Sequence, residues 1–116
     1  MTQPEWELLR KAMDQLPDDR RAGVLERAGF LTGAQQPIEC PLLDRASGQC
    51  MVYDVRPIAC RTYGFYRERD NGLYCGMISD RVDSGEFDDV VWGNHAAVTS
   101  AQQALGPEHD LLYWMK

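Results

Sequence analysis

Trp6, Leu9, Met13 and Leu16 recur at steps of three and four residues, which places them on one face of a helix. Thr2-Gln3-Pro4-Glu5 precedes them and fits a capping box, with a Thr hydroxyl for an early amide and a Glu to reach back. Pro4 is tolerated there because first-turn amides have no intrahelical partner. Pro17 ends this helix. Asp18 is placed to cap a second, running to about Ala28, with Val24, Leu25 and Ala28 facing inward and Gly29 as the stop. Thr32 to Glu39, with Gly33 and Pro37, reads as a connector.

From Cys40 onward the periodicity breaks up. Cys40-Pro41-Leu42-Leu43 and Gln49-Cys50-Met51-Val52-Tyr53 flank a polar loop, Asp44 to Gly48, as the arms of a hairpin. Arg56 to Arg61 suits a short helical turn with Pro57 at its first position. Tyr63 to Asp70 and Leu73 to Met77 predict a second hairpin around a tight Asn71-Gly72 turn. A longer helix is predicted from about Phe87 to Leu105, with Phe87, Val91, Val98, Ala101 and Leu105 as its stripe and Gly106-Pro107 as its stop. The apolar tail, Leu111 to Met115, is expected to dock on the core. The predicted fold class is α+β and helix-rich: helices at both ends bracket an irregular cysteine-bearing middle with two small β-hairpins. A length of 116 residues predicts one domain over 1–116, with the cysteine segment at about 40–75.

Charge narrows the function. The chain carries 12 Lys and Arg against 18 Asp and Glu, a net charge of −6. That balance argues against a nucleic-acid partner, which calls for a basic footprint, and against attachment to anionic membranes. No apolar run approaches the roughly 20 residues that span a bilayer. The first residues lack the basic and apolar regions of a secretory signal, so a cytoplasmic protein is expected. In that compartment thiols stay reduced. The four cysteines, Cys40, Cys50, Cys60 and Cys75, are confined to one segment. Such clustering favours a shared site over disulfides or unrelated buried thiols.

The spacing is Cys-x9-Cys-x9-Cys-x14-Cys, without zinc knuckles and unlike either ferredoxin pattern. If Leu43 pairs near Gln49, Leu42 faces Cys50 and Cys40 shares that face, so the two sulfurs can converge on one metal. Arg56, Arg61, Arg67 and Arg69, against Glu68, form a basic island in an acidic chain. A helical turn would set Arg56 beside Cys60, where its guanidinium lowers the thiol pKa; the plainer reading is a solvated arginine face. His95 has a core explanation on the last stripe, with a hydrogen bond to a metal ligand or a role as replacement ligand as the alternative. His109 reads as a solvated loop residue. Tyr53, Tyr63, Phe65, Tyr66 and Tyr74 are expected to pack around the cysteines and exclude water. Asp80, Asp83, Glu86, Asp88 and Asp89 lack calcium-loop spacing and are expected to supply helix N-terminal charge. No nucleotide loop, Ser-His-Asp pattern or carboxylate pair stands out, so no catalytic residue is assigned.

The run Cys50-Met51-Val52-Tyr53-Asp54-Val55-Arg56-Pro57-Ile58-Ala59-Cys60-Arg61, following Cys40-Pro41-Leu42-Leu43, resembles the bacterial YkgJ-type cysteine-cluster family. That family is described as a zinc- or iron-chelating domain and is often labelled an iron–sulfur-cluster-containing protein. The resemblance covers about residues 40–75. It implies that Cys40, Cys50, Cys60 and Cys75 are metal ligands, with Arg56, Pro57 and Arg61 as supporting residues and the two arginines beside the cofactor. Many members carry a further cysteine cluster near the N-terminus; this chain has no cysteine before Cys40, so the resemblance extends to one site. The expected function is a four-cysteine metal centre, an iron–sulfur cluster in electron transfer or in service to a partner enzyme. The alternative is a structural Zn2+-binding interaction module without redox activity. His95 is expected not to be a ligand, since four thiolates complete a tetrahedral shell.

Overall fold

The computed structural model describes residues 1–31, 33, 38–68 and 71–115, Glu68 by its backbone. In chain order the elements are helices α1 (Gln3–Asp14) and α2 (Asp18–Phe30), strands β1 (Leu43–Asp44) and β2 (Gln49–Cys50), a 3-10 turn (Tyr53–Val55), α3 (Ile58–Thr62), β3 (Tyr66–Glu68), β4 (Asn71–Gly72), α4 (Gly76–Asp83), β5 (Gly93–Asn94), α5 (His95–Gln103) and α6 (Leu111–Trp114). The fold is mixed α+β with helices at both ends. Contacts divide the chain into two compact units, one formed by Met1–Pro57 with Pro107–Lys116, the other by Ile58–Gly106. Most of the predicted connector, residues 32 and 34–37, lies outside the described residues, as do Arg69 and Asp70.

The first unit is built as its periodicity predicts. Glu5 accepts a hydrogen bond from the Thr2 amide at 2.7 Å, the reach-back half of the capping box. Leu9 and Met13 are buried with Val24, Leu42 and Val52 in one cluster, and Trp6 and Leu16 pack against it. The tail docks there too, through Leu111 and Met115. The Met1 amine donates to the His109 carbonyl and the His109 amide returns a bond to the Met1 carbonyl, at 2.6 and 2.9 Å. His109 is therefore no solvated loop residue: its ring stacks on Tyr113 at 3.7 Å between centroids. Two details of α2 differ from the sequence reading. Pro17 occupies the cap position, and the helix runs through Gly29 to Phe30. Leu25 lies 52% exposed because the buried stripe runs through Val24 and Ala28.

In the hairpin of this unit, Leu43 pairs with Cys50 and Asp44 with Gln49. The loop is closed by the Gly48 amide on the Asp44 carbonyl at 2.7 Å, and Gly48 takes a φ of +72° that suits glycine. The register is thus one residue away from the expected Leu43–Gln49 pairing, which moves Leu43 rather than Leu42 opposite Cys50.

The second unit departs further. Arg67 pairs with Gly72 and Glu68 with Asn71, so Asn71-Gly72 is strand rather than turn. Strand β5 adds in parallel on the other side of β3, with Tyr66 opposite Gly93. The segment from Leu73 to Met77 is not a strand arm: α4 begins at Gly76. The long helix expected from Phe87 shrinks to α5, whose start is fixed by Asn94, with its side chain accepting from the Ala97 amide at 3.2 Å. Gly93 and Asn94 are poor helix formers, and a cap plus a strand pairing outweighs the interrupted stripe; Val91, assigned to that stripe, is 95% exposed.

Candidate functional site

Cys40 and Cys50 belong to the first unit. Cys40 opens a turn in which its carbonyl accepts from the Leu43 amide at 3.0 Å, with Pro41 in the position where its fixed φ is favourable. Cys50 sits on β2, half-buried against the apolar cluster. Although Cys40 is exposed as a residue, burial around its sulfur pushes the thiol up. A backbone hydrogen bond from Leu42 opposes that rise, the neighbouring Cys50 adds to it, and a bond from Leu43 opposes it again. Two main-chain amides thus act on one sulfur, but burial outweighs them. The strand alternation invoked from sequence does not create this neighbourhood, since β1 begins only at Leu43. The Cys-Pro turn does, and the Pro41 that follows Cys40 was its signal.

Cys60 and Cys75 belong to the second unit. Cys60 lies on the five-residue helix α3, and Cys75 occupies the cap position of α4 with an extended backbone. Both are exposed. None of the four cysteines forms a disulfide. Three of the four are exposed and so are not packed as small hydrophobes, whereas Cys50 packs against the apolar cluster. Among the described residues, no three or more His, Cys, Asp or Glu side chains are grouped within reach of one metal ion.

Arg56 is not on a helix: its ψ of 137° is extended, and α3 starts two residues later, so the shared helical face with Cys60 does not exist. The guanidinium lies over the Tyr53 ring, 3.7 Å from its centroid, and its Nε donates to the Tyr53 carbonyl at 3.0 Å. Pro57 stands just before α3 rather than inside it, where its φ still suits a helix start. Arg61 is exposed on α3 beside Cys60. The expected aromatic shell is only partial, because Tyr53, Tyr63 and Phe65 are exposed by more than half. His95 opens α5 half-buried, and its Nδ1 is buried with no hydrogen bond among the described residues. The carboxylates expected at a helix N-terminus lie instead along α4, at Asp80 and Asp83, and in the turns after it.

Among the described residues no helix is long and apolar enough to cross a membrane. No family model matches the chain, and no curated protein or solved structure is significantly similar to it.

Proposed function

We propose that the chain is a metal-binding protein in which Cys40, Cys50, Cys60 and Cys75 are the ligands of one iron–sulfur cluster, used in electron transfer or in service to a partner enzyme. The observation that carries this reading is the state of the thiols: all four are unbridged, and three of them, Cys40, Cys60 and Cys75, are exposed rather than packed in the apolar cluster. The donor set fits a cluster held by thiolates. The Cys-x-x-Tyr-x-x-Arg-Pro-x-x-Cys-Arg run adds the resemblance to the YkgJ-type family. When bound, the cluster supplies one-electron redox chemistry. Arg61, next to Cys60 in sequence, and Arg56 are its supporting residues, compensating the charge of the thiolates.

Elemental analysis and an optical spectrum of protein purified without oxygen test the reading. Iron with sulfide and visible absorption that bleaches on reduction supports it. Stoichiometric zinc without iron replaces it with the closed, redox-inert module. Protein free of both metals rejects a metal site.

A further inference from the structure

We propose that the second unit carries a docking groove for a cationic amphipathic segment of a partner protein. Between β3 and the turns after α4 lies a cavity of about 290 Å³ walled by Phe65, Ile78, Phe87, Val90, Val91 and Trp92. Its mouth is apolar and solvent-facing: Phe65 is 69% exposed and Val91 95%. Contiguous exposure of this kind marks an interaction surface rather than ordinary scatter.

The walls are held before anything binds. The Phe65 amide donates to Thr62 and its carbonyl accepts from Gly93, both at 3.0 Å, so the main chain beneath the exposed ring is pinned on both sides. The Val90 amide donates to the Phe87 carbonyl at 3.0 Å, which fixes the turn between them. Trp92 is braced by Tyr74, with ring centroids 5.2 Å apart. A groove fixed in this way spares the ordering cost that weakens binding to a floppy surface.

Charge identifies the occupant. Between Gly76 and Trp92 the chain has five carboxylates, Asp80, Asp83, Glu86, Asp88 and Asp89, against one cation, Arg81. Arg81 is already paired with Glu86 at 3.7 Å. Asp88 and Asp89 stand in the turn between two wall residues, Phe87 and Val90. An apolar slot bordered by carboxylates selects a segment with apolar anchors on one face and Lys or Arg on the other. The proposal does not depend on the identity of any bound metal.

The test titrates the full chain with a labelled synthetic helix bearing Leu on one face and Lys on the other, and with its twin bearing Glu in place of Lys. Binding of the Lys peptide alone, weakened by salt, is expected. Val91→Ser and Phe65→Ser leave the net charge unchanged, and each is expected to weaken it about tenfold through the lost apolar anchor. The D88N/D89N double variant keeps the groove and is expected to flatten the salt dependence. Circular dichroism confirms that each variant is folded. Equal binding of both peptides, binding of neither, or binding indifferent to V91S and F65S overturns the proposal. Self-association of the chain that V91S abolishes also overturns it and makes a second copy the occupant.

Discussion

The two units hold themselves together by different means. In the first, Leu9, Met13, Val24, Ala28, Leu42 and Val52 are buried, and Val24 is fully inaccessible. In the second, the buried side chains among the described residues are Thr62 and Gln102, both polar. The second unit relies on a short three-stranded sheet and on aromatic rings laid over glycines: a Cβ on Gly93 would meet the Tyr66 ring at 2.5 Å. The contrast teaches where external stabilisation is needed. A unit with an apolar cluster folds on the strength of burial, whereas one without it draws on hydrogen bonds, metal or a partner. The proposed groove and two of the proposed ligands, Cys60 and Cys75, fall in the unit that lacks a core.

Core truncation gives the largest effect. Leu9→Ala is expected to destabilise by about 3 kcal/mol in urea unfolding, through lost burial and the cavity left behind. Phe87→Ala, at a half-buried position of the second unit, is expected to cost less than about 1 kcal/mol. Equal costs would abolish the distinction between the units. Next comes Gly93→Ala, expected to cost about 2 kcal/mol because the added methyl overlaps the body of the Tyr66 ring. Gly72→Ala meets the far end of the Tyr74 side chain, which can swing away, so it should cost clearly less. A reversed order would show that the parallel β3–β5 pairing is not what braces the unit.

Metal removal sharpens the contrast on the proposed function. Stripping the metal is expected to speed amide exchange within Ile58–Gly106 about tenfold, or about 1.4 kcal/mol of local opening, while α1 and α2 keep their protection. Uniform loss across both units, or no change, would count against a metal that supports the weaker unit. The smallest effect concerns Asp44. The Ala46 amide, donating to its carboxylate at 3.0 Å, is the main cause that holds its pKa below the usual value, helped by Ser47. A depressed folded pKa means that this contribution is present above the unfolded pKa and fades as pH falls through the folded one. Acidification should therefore raise Ala46 exchange early, with little change in overall stability, and Asp44→Asn should remove that pH dependence.

The parts legible from sequence follow the same divide. Trp6, Leu9, Met13 and Leu16 form a full helical stripe, and both α1 and the docking of the tail follow from such patterns. Around the second unit, local signals compete at short range. Asn71-Gly72 carries a strong turn signature yet lies in β4, because its two residues pair with Glu68 and Arg67. The stripe through Phe87, Val91 and Val98 spans a glycine and a capping Asn that cut it in two, and α4 is hidden in a segment that reads as a strand arm. The cysteines are confined to one segment of the sequence, and the fold divides them between the two units. What sequence alone did not give was the one-residue register in the first hairpin, the stacking that ties Arg56 to Tyr53, or the amides of Leu42 and Leu43 at the Cys40 sulfur, all of which depend on backbone angles at single residues.

The mutual main-chain bonds between Met1 and His109 have a consequence for synthesis order. They seal a unit whose two parts flank the whole of Ile58–Gly106 in the chain. A ribosome delivers α1 and α2 first and the closing segment, with Leu111 and Met115, last. The apolar cluster must therefore stay open until the intervening stretch has emerged, and its completion carries the loop-closure entropy of that stretch. Once sealed, the junction acts as a clasp: both ends of the coreless unit are tethered to a folded body, which narrows its unfolded ensemble.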